Sequence, residues 1–240
     1  MFDAATNAIT QMFSPPLRAV LWRTIGLSVL LIVAAGVGLQ RLIVHVVGLG
    51  GTSLETTIGP QAHQPLNALA WILSFAASFG IIAGSIFLMP AVTAVVGSFY
   101  ADRIGDEVER EHYPADPRGK ALPLPVALWE GLKTALLAVV IYLCAMPLIL
   151  FAGFGAVIFF LATAYILGRE YFELAAMRFR SPAEAKLLRK RNATMVFIGG
   201  LLIAAFVSIP IVNLATPLFA MAFMVHLHKR ASVKSLVAQA

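Results

Sequence analysis

The sequence predicts an all-α integral membrane protein, and three observations predict it. Apolar residues make up 60% of the chain and charged residues only 12%, with a mean hydropathy of +0.85. Two blocks, Thr134–Leu167 and Thr194–Val225, run for 34 and 32 residues without a charge. The basic residues gather at the ends of apolar runs. A soluble domain carries roughly 25% charged residues, so this composition cannot cover a water-facing surface and lipid must serve as much of the solvent. The 240 residues suit one membrane domain, 1–240.

Met1–Phe13 is a short amphipathic stretch suited to the membrane interface. It lacks a basic n-region, and the apolar run behind it is too long for a signal h-region, so no cleavable leader is expected. Ser14-Pro15-Pro16 reads as a helix start, with Ser14 as cap and Pro15 at the first position, where a missing N–H costs nothing. A first spanning helix over Leu17–Val47 follows, ended by a Gly- and Thr-rich loop over Gly48–Gln64. A second long helix runs from Pro65 to about Glu111, 47 residues against the roughly 20 needed to cross hydrocarbon. Its apolar part is Leu66–Tyr100, Pro90 marks a kink, and Ala101–Glu111 projects into water. The two long helices thus occupy 14–111.

After the Pro-rich connection Tyr113–Pro125 come the two charge-free blocks. One is broken by Pro147, Gly153 and Gly155, the other by Pro210, Asn213 and Pro217. Each reads as one kinked span or as a helical hairpin, and charge placement decides between them. Apart from Arg41, the Lys and Arg residues fall at the N-terminus, in 103–133, in Arg169–Arg191 and in the tail. Single crossings would put the seven basic residues of Arg169–Arg191 outside; hairpins put all four basic regions on the cytoplasmic side, together with both termini. The expected arrangement is therefore two long helices plus two Pro-broken hairpins, over 125–180 and 181–231. Ser181-Pro182-Ala183-Glu184 opens the second with a capping-box pattern. Its arms have about 15 residues, or roughly 22 Å of helix, short of the ~30 Å hydrocarbon core. That suggests a re-entrant turn at Pro210 and Asn213, tolerated only against protein or a water-filled path; a plain loop or packed kink is the alternative. Short, Pro-broken arms also call for neighbouring protein, and hence a homo-oligomer.

Ser208-Ile209-Pro210-Ile211-Val212-Asn213-Leu214-Ala215-Thr216-Pro217 resembles the Ile-Pro-x-x-Asn-Leu-x-x-Pro turn of the bacterial CysZ sulfate transporter family, within the etoposide-induced membrane protein superfamily. Gly168–Leu174 with Leu188–Arg191, and Ser14–Arg18, are similar to that family too, as is the order of elements over nearly the whole chain. The resemblance implies an oligomeric sulfate permease of the bacterial inner membrane feeding cysteine synthesis. It also implies a sulfate site on a Gly–hydrophobic–Arg–Arg motif at the start of the first spanning helix. The matching positions are Pro16, Leu17, Arg18 and Ala19. Leu17 and Arg18 fit; Pro16 removes a backbone donor and Ala19 a cationic partner. The superfamily also contains non-transporting assembly or stress proteins, and a permease for another small oxyanion is a further alternative.

Chemistry independent of the resemblance points to the same helix start. A dianion needs several donors and positive potential, which a helix N-terminus supplies and an Arg fork complements. Ser14, the N–H groups of Leu17 and Arg18, and the Arg18 guanidinium are the candidates. Arg23, five residues deeper, is a candidate for the absent second Arg. Either Arg can instead snorkel to lipid phosphate. Arg103–Glu107 and Asp106–Arg110 are spaced to pair along a solvated helix face, as are Arg169 and Glu173. Glu130 and Lys133 read as interfacial anchors. Acidic residues interleaved with basic ones argue against nucleic acid. Zinc, phosphate-loop and nucleophile-elbow motifs are missing, so no enzyme activity, cofactor or metal is expected. His226 and His228 read as a membrane-edge pair, and Cys144 as a small buried apolar residue. Without an ATP-binding element, transport would be channel-like or ion-coupled.

Overall fold

The computed structural model describes residues 2–58, 100–145, 147–148 and 154–237. Among them every regular element is helical. In chain order the helices are α1 (Phe2–Met12), α2 (Pro15–Ile58), α3 (100–112), α4 (Leu124–Ala145), α5 (Phe154–Met177), α6 (Pro182–Arg191), α7 (Ala193–Val207), α8 (Pro210–Asn213) and α9 (Thr216–Val237). Among the described residues three helical segments are long and apolar enough to cross a bilayer: Pro15–Leu42, Pro125–Ala145 and Gly155–Met177. The chain is an all-α membrane protein.

α1 buries Ala4, Ala8, Gln11 and Met12, one helical stripe, against α9 and leaves Ile9 and Phe13 exposed. The helix stops where Pro15 and Pro16 begin a new one. α2 then continues through Gly48, Gly50 and Gly51 to Ile58, so the expected loop at Gly48 starts at least eleven residues later. Glycine weakens a helix by about 1 kcal/mol relative to Ala but does not sterically end it; Pro60 is the first residue after Pro16 that obliges a break. The end of the second long helix appears as α3. The rest of that helix, with Pro90, lies outside the described residues.

α4 and α5 pack side by side as the first hairpin. Tyr142, near the end of α4, stacks on Phe159 of α5 with ring centroids 4.7 Å apart, and its hydroxyl meets the Thr163 hydroxyl at 3.1 Å. Pro147 lies in a short turn between them. Trp129, Leu136, Val140 and Leu143 are exposed on α4. Cys144 shares this exposure, which corrects the expectation of a buried thiol: among the described residues α4 packs chiefly against α5, and lipid accepts a thiol as readily as a core does. α7 and α9 pack as the second hairpin, with α8 at its tip. The last arm is longer than expected: α9 has 22 residues, although its charge-free part still ends at Val225.

α5, α7 and α9 form the core, around Phe172, Ile203, Met221, Phe223 and Leu227. α5 and α7 approach through small residues, as helices do where lipid removes the hydrophobic drive for association. A Cβ on Gly200 would lie 2.0 Å from the Ala164 carbonyl oxygen, and one on Gly168 2.7 Å from that of Val196. Gly199, the next residue round, faces Leu227 of α9. Gly200→Ala must push two backbones apart and is expected to cost roughly 1–3 kcal/mol, as overpacking does. Gly26→Ala, where nothing lies within 4 Å of the new Cβ, should be neutral or mildly stabilising. Thermal unfolding of the two purified variants checks the contrast; equal melting temperatures would contradict the close contact.

Candidate functional site

Three polar regions were built up from the chain: the start of α2, an ionic seam beneath the hairpins, and a histidine network on α9.

At the start of α2 the Ser14 carbonyl accepts the Arg18 N–H at 2.8 Å, so that expected donor is already used. The Ser14 hydroxyl makes no cap bond; its buried Oγ has no partner among the described residues. A cap hydroxyl bonds the second or third helical N–H; the second residue, Pro16, has none, and the third, Leu17, is not met by Ser14. The Leu17 N–H also lacks an acceptor among the described residues. The Leu17 side chain is fully buried, which fixes the helix rotationally and turns Arg18 outward, exposed and without an ion pair among the described residues. Arg23 is likewise exposed and unpaired, but the helical screw places it roughly 140° around the axis from Arg18. The structure thus brings Ser14, Leu17 and Arg18 together and sets Arg23 apart.

The ionic seam centres on Arg178, whose distant partners no local spacing in the sequence announces. Arg178, in the turn after α5, has a side chain only 1% exposed. Its Nη1 donates to the Asp102 carboxylate at 2.8 Å and to the Asp102 carbonyl at 3.0 Å, its Nε to Glu109 at 2.9 Å, and its Nη2 to Asp106. Burial opposes the charge on Arg178, but Glu109 and Asp106 outweigh it and hold the guanidinium above its ordinary pKa. Glu109 is 2% exposed and also accepts the Gly119 N–H at 2.8 Å. α3 is therefore more than a solvated, self-paired face. Arg110 pairs with Glu107, one residue closer than expected, while Asp106 turns to Arg178. A second part of the seam joins Glu130 to Lys133 at 2.8 Å and to Lys186 at 2.6 Å. A third joins Glu173 to Arg169 at 3.3 Å, as the spacing predicts, and to Arg189 at 2.7 Å. A cavity of about 140 Å³ opens here beside Asp102, Thr134, Glu130, Glu170 and Glu173. Four carboxylates line it, and three of them, Asp102, Glu130 and Glu173, are already paired with cations of the seam.

His226 and His228 are buried within the protein. The His226 ring accepts from the Tyr113 hydroxyl at Nδ1 (2.8 Å) and donates from Nε2 to the Gln11 side-chain carbonyl (3.0 Å). The Gln11 amide nitrogen in turn meets His112 Nδ1 at 2.6 Å. His228 stacks on Phe179 with centroids 5.1 Å apart. The two rings have disjoint partners, as expected for separate helix faces. Pro210 opens α8, and Asn213 is buried with its N–H bonded to the Ile209 carbonyl at 2.8 Å. Thr216, three residues on, is buried with an unpartnered hydroxyl among the described residues. Among those residues no group of side chains is arranged to hold a metal.

Spanning helices, a small-residue helix crossing and ionic groups gathered at helix ends define an integral membrane protein. Residues 4–217 match the family described as sulfate transporter CysZ/etoposide-induced protein 2.4, and the chain belongs to that family. No curated protein matches it. The family supports a membrane sulfate transporter-like role in general terms.

Two outcomes follow from the charges. Arg178→Ala leaves Glu109 buried and unpaired, and breaking such a pair costs about 3–5 kcal/mol. Asp106→Asn, at a side chain 63% exposed, should cost no more than about 1 kcal/mol. Chemical denaturation of both variants checks this, and a mild Arg178→Ala would show that the cluster is not what holds α3. Burial, with the neighbouring His112 and Arg230, lowers the His226 pKa from 6.5 to about 4; burial, with Arg180 and Lys229, lowers that of His228 to about 3. The unfolded state then binds more protons than the folded state below pH 6.5, so stability is full above that value and falls as pH drops toward 4. Melting temperatures between pH 7 and 5, above most carboxylate titration, should decline, and less steeply in His226→Gln.

Proposed function

We propose that this chain admits sulfate across the bacterial inner membrane into the cytoplasm, supplying cysteine synthesis, and that the anion is first held at the start of α2. The observation that carries the reading is the set of uncommitted groups there. The Ser14 hydroxyl and Leu17 N–H lack partners among the described residues, and Arg18 stands exposed beside them. Arg178, Arg169, Arg189 and Lys186, by contrast, are occupied by carboxylates. A helix N-terminus with free donors and a guanidinium matches the needs of a tetraoxyanion. In this reading Arg23 is a second stop further along the helix, and the turn at Pro210 and Asn213 borders the path. The basic regions lie on the cytoplasmic side with both termini, and the chain works as a homo-oligomer, which covers the exposed face of α4.

Radiolabelled sulfate flux into proteoliposomes and sulfate binding to purified protein test the proposal. Arg18→Ala should weaken binding on the order of tenfold or more, because a charge-assisted hydrogen bond contributes roughly 1.5–3 kcal/mol. Arg18→Lys should lose less, keeping the charge without the fork. Ala19→Arg should tighten binding by adding a guanidinium beside the same donors. Sulfate binding indifferent to all three substitutions would sink the site, and proteoliposomes impermeable to sulfate would sink the function.

A further inference from the structure

α6 stands at 92° to α7. α7 is an uncharged arm of the second hairpin, and α6 leaves its axis at a right angle at the charged end. The faces of α6 are divided by chemistry. Ala185 and Leu188 are buried in the core. Lys186 and Arg189 are committed to Glu130 and Glu173. The remaining face holds Leu187, Lys190 and Arg191, at i, i+3 and i+4, which brings them onto one stripe. Leu187 is 50% exposed. Lys190 and Arg191 are exposed, and neither makes an ion pair among the described residues.

The depth of this face is set independently. Lys186 reaches Glu130 of α4 at 2.6 Å, and the adjacent Trp129 is 59% exposed with Lys133 over its ring at 5.1 Å. An exposed Trp beside charged groups at the end of an apolar span marks the headgroup layer. The ion pair therefore holds α6 at that layer. On the far side of the bend, Ile198 of α7 is an exposed apolar side chain, offering a wall to an acyl chain.

We propose that the Leu187–Lys190–Arg191 face of α6 is a docking site for an anionic glycerophospholipid. The lipid phosphate sits between Lys190 and Arg191, and its chains lie against Leu187 and Ile198. Charge complementarity selects the headgroup, since an interfacial cation gains on the order of fivefold in affinity for an acidic lipid. A lipid fits better than a free oxyanion because the face is convex and half apolar. It encloses nothing, so a small anion would keep its water, whereas a lipid is already held at this depth by its tails. The site is separate from the start of α2 and does not depend on sulfate being the substrate.

Native mass spectrometry and melting curves of the purified full chain test this with phosphatidylglycerol, phosphatidylcholine and inorganic phosphate as probes. Phosphatidylglycerol should be retained and should raise the melting temperature above that given by phosphatidylcholine, while millimolar phosphate should do neither. The double variant Lys190→Gln/Arg191→Gln should bind phosphatidylglycerol roughly tenfold or more weakly, with an unchanged melting temperature in detergent alone. Arg103→Gln, which removes an exposed cation from α3, should bind as wild type does. Equal retention of the two lipids, an unaffected double variant, an equal loss in Arg103→Gln, or reproduction of the effect by phosphate would each overturn the proposal.

Discussion

The fold depends on one buried cation. Arg178 lies at the end of α5, where the chain turns from membrane-spanning helix toward α6, and its guanidinium is almost wholly removed from water. An ion in that position costs several kcal/mol of lost hydration unless its hydrogen bonds are met. Here they are met from α3 alone, by Asp102, Asp106 and Glu109 at spacings of four and three residues, one stripe of one helix. α3 has no freedom to rotate or slide without stranding both Arg178 and Glu109. The connection after α3 is drawn into the same knot: Lys120 N–H donates to the Arg178 carbonyl at 2.8 Å and Gly119 N–H to Glu109. The close approach also explains two glycines. A Cβ at Gly105 would sit 2.7 Å from Arg178 Nε, and one at Gly119 2.8 Å from Arg178 Cβ.

From that knot the polar and apolar parts of the bundle divide cleanly. Glu130 bridges α4 to α6, and Glu173 bridges α5 to α6, so the hairpins are tied together by ions at their charged ends. Between the helices themselves packing takes over: Ala164, Gly168 and Gly200 let α5 and α7 touch backbone to backbone, and Phe206, Phe219 and Phe223 stack successively at 4.4 and 5.5 Å. Ion pairs suit the end that meets water and headgroups. Small residues and rings suit the end where an unpaired charge would be intolerable.

How legible this was in the sequence follows from the separation of the partners. Helix content, the apolar blocks and the Ser181–Glu184 capping box were readable, because composition and spacing over a few residues encode them; the box forms with both of its hydrogen bonds. Arg169–Glu173 was readable for the same reason. Arg178 meets carboxylates 69 to 76 residues away, and no local pattern announces that. The only trace was an excess of acid over base in 102–111. Helical spacing alone paired those acids with their neighbours on α3. The buried histidines failed for a related reason. Beside Lys229 they look superficial, yet Lys229 itself reaches out to Asp116 at 2.9 Å while His226 turns inward to Gln11 and Tyr113.

The histidine network and the start of α2 are parts of one chain of bonds. Gln11 is the residue that joins them. Its side chain receives the His226 N–H from α9, and its main-chain carbonyl accepts the Ser14 N–H at 2.9 Å. One residue further on, Pro15 begins α2, and Pro16 withholds one of the two N–H donors a cap hydroxyl uses. The unpartnered groups at that helix start are therefore held in place, although they do not bond to one another. α1 is packed onto α9 by Ala4, Ala8 and Met12, α9 orients Gln11, and Gln11 sets the position of Ser14. A loose N-terminal segment would let the Ser14 hydroxyl and Leu17 N–H find water or each other. Anchored to α9, they stay apart, and the helix start keeps two polar groups unmet among the described residues.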